Sequence, residues 1–233
     1  MYREAGDTVI GIARTAEEPD IAADVTKSDA IRAAVDGIAE KHGGIDVVIA
    51  CAGAGLSGAT ETLPIEKIEA QTDLCYIGAV NLVQAALKHM KEGGKVVFVS
   101  SACALFALPF RATYCASKAA VNMVSFGMYM ELKKHGIRVS SICPGDIKTN
   151  FTANRVKVSG GARYGGEADE SARKIDSREH KRMDVVKATK KIYKYATKCS
   201  KPLYIVGFKY KALNFLRHVL PQKLFLDMTA KKF

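Results

Sequence analysis

The sequence lacks the long apolar run that a membrane-spanning helix requires. No stretch of about 18 uninterrupted apolar residues occurs, so we predict no transmembrane helix. Residues 1–7 also lack the apolar core of a secretory signal. Hydrophobic residues make up 48% and charged residues 25% of the 233 residues, which is typical of a soluble globular protein with one sizeable core. We therefore expect a single domain over residues 1–233.

Cysteine and histidine residues show no metal-ligand spacing. The six cysteines are scattered, mostly among apolar or small residues, and are predicted to be reduced core residues of a cytoplasmic protein. None of the five histidines is paired with a cysteine or a carboxylate at ligand spacing. We predict no metal site.

Positive charge is concentrated in the last third of the chain. The formal net charge is +11; residues 1–150 hold 15 Lys+Arg and 17 Asp+Glu, whereas residues 151–233 hold 20 and 7. A solvated basic surface is the simplest interpretation. The alternatives are an anionic substrate, an anionic membrane surface or nucleic acid. Nucleic acid is disfavoured because no known nucleic-acid-binding motif accompanies the charge.

Short apolar runs alternate with longer helical patterns. Strands are predicted at residues 8–13, 21–24, 45–50, 95–101, 137–143 and 202–207. Helices are predicted at residues 26–42, 65–90, 113–135 and 183–199. This alternation indicates an α/β fold with a parallel sheet covered on both faces, whose ligands bind beyond the carboxyl ends of the strands. Gly53, Ser101 and the Pro144-Gly145 turn lie at such ends, so we expect them to form one site.

Two segments outside this alternation have distinctive compositions. Residues 152–182 are polar, charged and glycine-containing, which is typical of a mobile flap over a substrate. Residues 209–233 mix apolar and basic side chains. This C-terminal segment is compatible with peripheral membrane contact, or with a cover over the substrate pocket or a neighbouring subunit, which we favour.

Tyr114 and Lys118 form a pair suited to proton transfer. Four residues apart on a helix, they lie on one face. A free phenol has a pKa of about 10, and a neighbouring ammonium lowers it by favouring the phenolate. Ser101, at the end of an apolar strand, could hold the oxygen of an alcohol or ketone. Such a tyrosine–lysine pair also occurs by chance in helices, but the strand and the serine favour a site.

These residues resemble the short-chain dehydrogenase/reductase family over nearly the whole chain. The residues that match the family's motifs are Ser101, Tyr114 and Lys118; Pro144, Gly145 and Thr149; Cys51, Ala52 and Gly53; and Asp24 with Val25. The resemblance implies a Rossmann-like doubly wound parallel sheet. Residues 50–58 and 108–110 are most similar to members that act on steroids, retinoids and other lipidic ketones.

The resemblance also implies a role for each residue. Tyr114 would be the general acid in ketone reduction and the base in the reverse direction, while Lys118 would lower its pKa and hold the nicotinamide ribose. Ser101 would bind the carbonyl oxygen, and the nicotinamide would carry the hydride. Ile147 and Thr149 would flank the nicotinamide carboxamide. The helices near 65–90 and 113–135 would build a homodimer or homotetramer.

Arg14 bears on the choice of cofactor. It follows the predicted strand 8–13, where family members meet the adenosine ribose. A guanidinium suits a 2′-phosphate, whereas a carboxylate would accept from the 2′-hydroxyl of NAD. We predict NADP(H), with NAD as the alternative; a water-facing Arg14 would carry no such information.

The sequence departs from the family pattern at two places. It contains no T-G-x-x-x-G-x-G turn, which would follow a first central strand and receive the pyrophosphate; residues 1–6 resemble the last turn of the next helix. Loss of that strand would leave two unpaired edges in a buried sheet. We expect a start assigned too late or a shortened chain. The second departure is Cys75, which stands where the family has an asparagine that helps anchor a proton path to the lysine.

The sequence thus predicts an NADP(H)-dependent oxidoreductase that interconverts a hydrophobic ketone and a secondary alcohol. The alternative is a non-catalytic protein of the same fold, or a truncated form unable to bind the dinucleotide. Its basic surface would then hold a partner or a membrane.

Overall fold

The computed structural model describes residues 1–177 and 182–232. Its strands are β1 Ile12–Ala13, β2 Ile21–Ala22, β3 Val47–Ala50, β4 Leu56–Ser57, β5 Lys95–Val99, β6 Arg138–Pro144, β7 Val156–Lys157 and β8 Leu203–Val206. Its α-helices are α1 Ser28–His42, α2 Ile65–Thr72, α3 Gly78–Leu87, α4 Ala112–Leu132, α5 Glu167–Ser177, α6 Val185–Lys198, α7 Phe208–Val219 and α8 Gln222–Lys232.

Parallel pairing dominates the sheet, as the sequence predicts. The main sheet has the order β3-β5-β6-β8, and all its neighbours are parallel. Its middle is apolar on both faces: Val96 and Phe98 belong to the buried cluster on one face, Val97 and Ile142 belong to the cluster on the other, and all four are fully buried. The register places Ala50 beside Phe98 and Val99 beside Ile142, so the carboxyl ends of three strands meet at one edge. The Rossmann-like α/β fold is therefore confirmed.

The sheet is interrupted between β1 and β3. Within the described residues β1 pairs only with β2, and β3 only with β5. This is the break expected of a sheet without the family's first strand, and the predicted strands at 8–13 and 21–24 shorten to two residues each. Residues 3–5 form a 3-10 turn that ends at Gly6 with a φ of +90°, as expected for the end of a helix.

The predicted helix at 65–90 is divided into three segments. A π-helical segment, Asp73–Ile77, connects α2 to α3 and contains Cys75. Gly78 begins α3, and a Cβ there would lie 2.6 Å from Val25 Cγ2. The close approach of Val25 therefore requires a glycine at this position.

The two segments of distinctive composition both contain regular structure. In the flap, β7 pairs with β4, and α5 follows; its residues 178–181 lie outside the described residues. In the C-terminal segment, Leu213 and Phe225 join a buried cluster with Leu105 and Leu108, so this segment packs onto the loop that follows β5. No helix among the described residues is long and apolar enough to cross a membrane.

Candidate active site

Tyr114 and Lys118 are attached to the end of β5 by hydrogen bonds of α4. Lys118 Nζ donates to the Val99 carbonyl oxygen at 3.1 Å, and Ser100 Oγ donates to the Lys118 carbonyl oxygen at 2.9 Å. Ser101, the next residue, lines a cavity of about 300 Å³ together with Tyr114 and Lys118. The structure thus brings the three predicted catalytic side chains to one cavity.

Tyr114 is held in a buried and partly cationic environment. It is 5% exposed, its ring centroid lies 5.9 Å from that of Phe151, and the Arg111 guanidinium carbon lies 5.6 Å from the ring centroid. Burial raises the pKa of the Tyr114 phenol, and the Cys103 thiolate adds to the shift. A hydrogen bond with Ser101 and the charge of Arg111 oppose it.

The direction of this shift corrects one expectation. The sequence predicts that Lys118 lowers the phenol pKa, but the net pKa shift is upward because desolvation by burial is its largest cause. Tyr114 therefore keeps its proton near neutral pH. A protonated phenol is the form required of a general acid.

Ser101 lies where β5 gives way to a short 3-10 turn. Its Oγ accepts a hydrogen bond from the Cys103 backbone N–H at 3.1 Å, and its hydroxyl is the group that hydrogen-bonds with Tyr114. The Cys103 thiol also lines the cavity. A hydrogen bond from Cys115, assisted by the charge of Arg111, lowers the pKa of Cys103 to about 6.

Several of the predicted cofactor residues line the same cavity. They are Gly53, Pro144, Gly145, Ile147 and Thr149. Gly53 is pressed against Lys118: a Cβ there would lie 3.2 Å from Lys118 Nζ and 3.4 Å from Cys75 Sγ. The Gly145 N–H donates to the Val206 carbonyl oxygen at 3.1 Å, which fixes the turn after β6 to the end of β8.

The other predicted cofactor residues lie apart from the cavity. Arg14 is exposed just after β1, and Ala52 is exposed after β3. The Asp24 carboxylate follows β2 and accepts two hydrogen bonds from Thr26, both of 2.9 Å. These bonds, with a smaller contribution from Arg14, lower the pKa of Asp24.

The neighbouring Val25 is likewise outside the cavity. Its carbonyl oxygen accepts a hydrogen bond from Asn81 Nδ2 at 3.0 Å. Asn81 therefore anchors the chain at the end of β2, a role the sequence analysis did not assign to it.

Cys75 has an amide partner that the sequence analysis missed. Gln71 Nε2 donates to Cys75 Sγ at 2.8 Å and to the Ala54 carbonyl oxygen at 3.1 Å. Cys75 is fully buried and lies next to Gly53. The spacing of four residues between Gln71 and Cys75 is the signal that could have revealed this pair.

The cavity has a second group of lining residues that the sequence analysis does not single out. They are Arg111, Asp146, Phe151, Arg155, Arg182 and Tyr210. Arg111 precedes Tyr114 by three residues, so helical spacing could have indicated it. The positions of Arg155 and Arg182 depend on how the flap folds, and Tyr210 shows that α7 covers one wall.

The cavity fits the nicotinamide end of a dinucleotide. Gly53 leaves open the space beside Lys118 that a Cβ would fill, and a flat ring and its ribose need such a close backbone approach. The pyrophosphate end has no counterpart of the family's glycine-rich turn in this sequence. Within residues 1–177 and 182–232 no cluster of three His, Cys, Asp or Glu side chains could hold a metal ion.

Comparison with known proteins gives the same family. Residues 11–159 match the short chain dehydrogenase family. A 3-ketodihydrosphingosine reductase from Bacteroides thetaiotaomicron is 35% identical over 162 residues, which cover 66% of this chain and 60% of that protein. Dehydrogenase/reductase SDR family member 7B from Danio rerio is 26% identical over 99% of this chain and 72% of its own length.

Solved structures agree in fold. A short-chain dehydrogenase from Streptomyces avermitilis has a TM-score of 0.79 at 25% identity and covers 97% of this chain and 87% of its own. A 3-oxoacyl-acyl-carrier-protein reductase from Brucella melitensis with NAD and a gluconate 5-dehydrogenase from Burkholderia cenocepacia with NADP and tartrate have TM-scores of 0.59 and 0.60, both at 25% identity. They cover 62% and 64% of this chain and 65% of each of those chains. The chain belongs to the short-chain dehydrogenase family, whose members bind NAD or NADP.

Proposed function

We propose that this protein interconverts a hydrophobic ketone and a secondary alcohol with NADP(H). The observation that carries the proposal is the meeting of Ser101, Tyr114 and Lys118 in one cavity with the Pro144-Gly145 turn and Gly53. The name of one relative, a 3-ketodihydrosphingosine reductase, supports a lipidic ketone.

Tyr114 and Ser101 act on the substrate oxygen, and Lys118 acts on the ribose of the cofactor. Tyr114, protonated because burial raises its pKa, donates its proton to the carbonyl oxygen in reduction. The Ser101 hydroxyl donates a hydrogen bond to the same oxygen and orients it. Lys118, fixed by the Val99 carbonyl, holds the ribose beside Gly53. When bound, the nicotinamide supplies the hydride or accepts it in the reverse direction.

Substitution of Tyr114 by Phe tests this assignment. Loss of the general acid should lower kcat by about 10²- to 10⁴-fold, measured as NADPH oxidation with the ketone 2-decanone. Tyr129→Phe is the matched control because Tyr129 lies on the same helix, α4, outside the cavity. If Tyr114→Phe turns over the ketone as fast as Tyr129→Phe, Tyr114 is not the acid.

The preference for NADP(H) over NAD(H) is argued from Arg14. Its exposed guanidinium follows β1 and acts electrostatically on Asp24 at the end of β2. A guanidinium there suits the 2′-phosphate. Arg14→Gln should therefore raise KM for NADPH and leave KM for NADH unchanged; an equal effect on both would contradict the proposal.

The interrupted sheet favours a second candidate function. A protein of this fold that did not bind the dinucleotide would be a non-catalytic binding protein that holds a partner through its basic surface. Titration with NADPH, followed by nicotinamide fluorescence, separates the two. Binding supports the oxidoreductase, and its absence at millimolar NADPH supports the binding protein.

Exposed apolar residues bear on assembly and location. Met123 and Met130 on α4 are 69% and 70% exposed, which supports a homodimer or homotetramer built on α2–α4. Phe208 and Phe215 on α7 are also exposed among basic residues, which supports peripheral membrane contact. We propose a cytoplasmic protein with this second surface for membranes.

A further inference from the structure

The cavity is rich in positive charge. Arg111, Lys118 and Arg155 line it, against the Asp146 carboxylate and the Cys103 thiolate among the described residues. Charged side chains rarely occupy buried positions unless they are paired. The excess of cations therefore needs a physical explanation.

Arg155 is placed in the cavity wall by the pairing of two short strands. It precedes β7, whose Val156 N–H donates to the Gly55 carbonyl oxygen at 3.0 Å. The stem of Arg155 packs directly on Gly55, where a Cβ would lie 3.0 Å from Arg155 Cγ. The position of Arg155 is thus built into the fold rather than being that of a solvated surface arginine.

The charge of Arg155 is incompletely matched. Its side chain is 3% exposed, and Nη2 donates to Asp176 at 2.7 Å. Asp176 is shared with Lys157, also at 2.7 Å. Arg155 Nε is buried without a hydrogen-bond partner. Burial first, and then the charge of Arg111, lowers the pKa of Arg155.

Arg111 also has a buried donor without a partner, close to the reacting group. Its guanidinium carbon is 5.6 Å from the Tyr114 ring centroid, and its Nε is also buried without a partner. A buried donor that makes no hydrogen bond is costly, more so when it is charged. Both guanidinium groups line one cavity, and guanidinium groups match oxyanions in geometry and charge.

We infer that the cavity binds an oxyanion of the ketone substrate, a carboxylate or a phosphate, through Arg111 and Arg155. The inference rests on the proposed function in placing the ketone at Tyr114. Because Arg111 stands next to the Tyr114 ring, only a few bonds separate the oxyanion from the ketone carbon. The substrate class is therefore a short-spaced oxo acid or oxo phosphate with an apolar tail.

A matched pair of probes tests the inference by calorimetry, without turnover. The γ-keto acid 4-oxodecanoate keeps the negative charge, whereas its methyl ester is neutral and nearly equal in shape. Wild-type protein should bind the acid at least tenfold more tightly than the ester. Arg155→Gln and Arg111→Gln should each weaken binding of the acid by about ten- to a hundredfold and leave the ester unaffected.

Lys157→Gln is the control because Lys157 shares Asp176 with Arg155 but does not line the cavity; it should retain the preference. Circular dichroism and thermal melting check that each variant is folded. If Arg155→Gln does not fold, Arg111→Gln still tests the inference. Equal binding of acid and ester by wild-type protein would overturn the inference. So would an equal loss of NADPH affinity in both arginine variants, because the arginines would then hold the dinucleotide phosphates.

The result is separable from the proposed catalytic function. A charge preference that depends on the arginines, in a protein that turns over no ketone, would support the oxyanion site and refute the oxidoreductase. Turnover of 2-decanone without any preference for the acid would support the oxidoreductase and refute the oxyanion site.

Discussion

Gly145→Ala should destabilise the wall between β6 and α7. A Cβ at Gly145 would overlap Cε2 and Cδ2 of Tyr210 and lie 2.9 Å from its Cζ. The backbone cannot retreat freely because the Gly145 N–H is bonded to Val206. Tyr210 is itself held by Asp146, whose carboxylate accepts from the hydroxyl and whose backbone N–H donates to it at 3.3 Å.

The expected cost follows from this geometry. Either the Tyr210 ring moves away and both of its hydrogen bonds with Asp146 break, or the turn at Gly145 shifts. Overpacking of this kind reduces the free energy of unfolding by about 1–3 kcal/mol. In a domain of this size that corresponds to about 2–4 °C in Tm per kcal/mol.

Urea unfolding followed by circular dichroism gives the free energies, and a double-mutant cycle with Tyr210→Ala identifies the cause. With the ring removed, Gly145→Ala should cost almost nothing, which gives a coupling energy of about 1–3 kcal/mol. Gly37→Ala is the control because Gly37 lies in α1 and a Cβ there meets nothing within 4 Å. It should stabilise the protein by about 0.5–1 kcal/mol. Additive costs of Gly145→Ala and Tyr210→Ala would refute the reasoning.

Two further predictions concern reactivity and assembly. Iodoacetamide should alkylate Cys103 readily at pH 7, because a pKa of about 6 leaves it mostly thiolate there; the rate should fall as pH drops through 6. Cys115→Ala removes the hydrogen-bond donor and should move that midpoint to higher pH in mass-spectrometric assays, so an unchanged midpoint would contradict the assignment. Sedimentation should give a multiple of the 25.2 kDa chain mass for wild-type protein and a smaller species for Met130→Lys; a wild-type monomer would refute the assembly.

Sequence patterns located the predicted catalytic residues because each lies in a segment whose structure is set by short-range periodicity along the chain. Ser101 ends an apolar strand, and Tyr114 and Lys118 share a helix face, so short-range periodicity suffices to place them. Pro144 ends β6, which pairs with β5, and Gly145 follows it. The rule that parallel strands end at a common edge brings both residues to the same place.

The remaining features depend on contacts between distant parts of the chain. Arg155 reaches the cavity because β7 pairs with β4, which joins Leu56 to Val156 across a separation that no local pattern records. The upward pKa shift of Tyr114 depends on burial by Phe151 and its neighbours, which a motif cannot show. Strand β1 is shorter than its apolar run because, within residues 1–177 and 182–232, it has a partner on one side only.

The hydrogen bond between Lys118 and the Val99 carbonyl reduces the side-chain entropy that is lost when a ligand binds. An ammonium has three hydrogens, and this bond occupies one while leaving two directed elsewhere. The long, flexible side chain is thus immobilised during folding, before any ligand arrives, and association need not freeze its rotamers again. An arginine could not reproduce this, because its flat, forked head directs its donors differently from a compact ammonium.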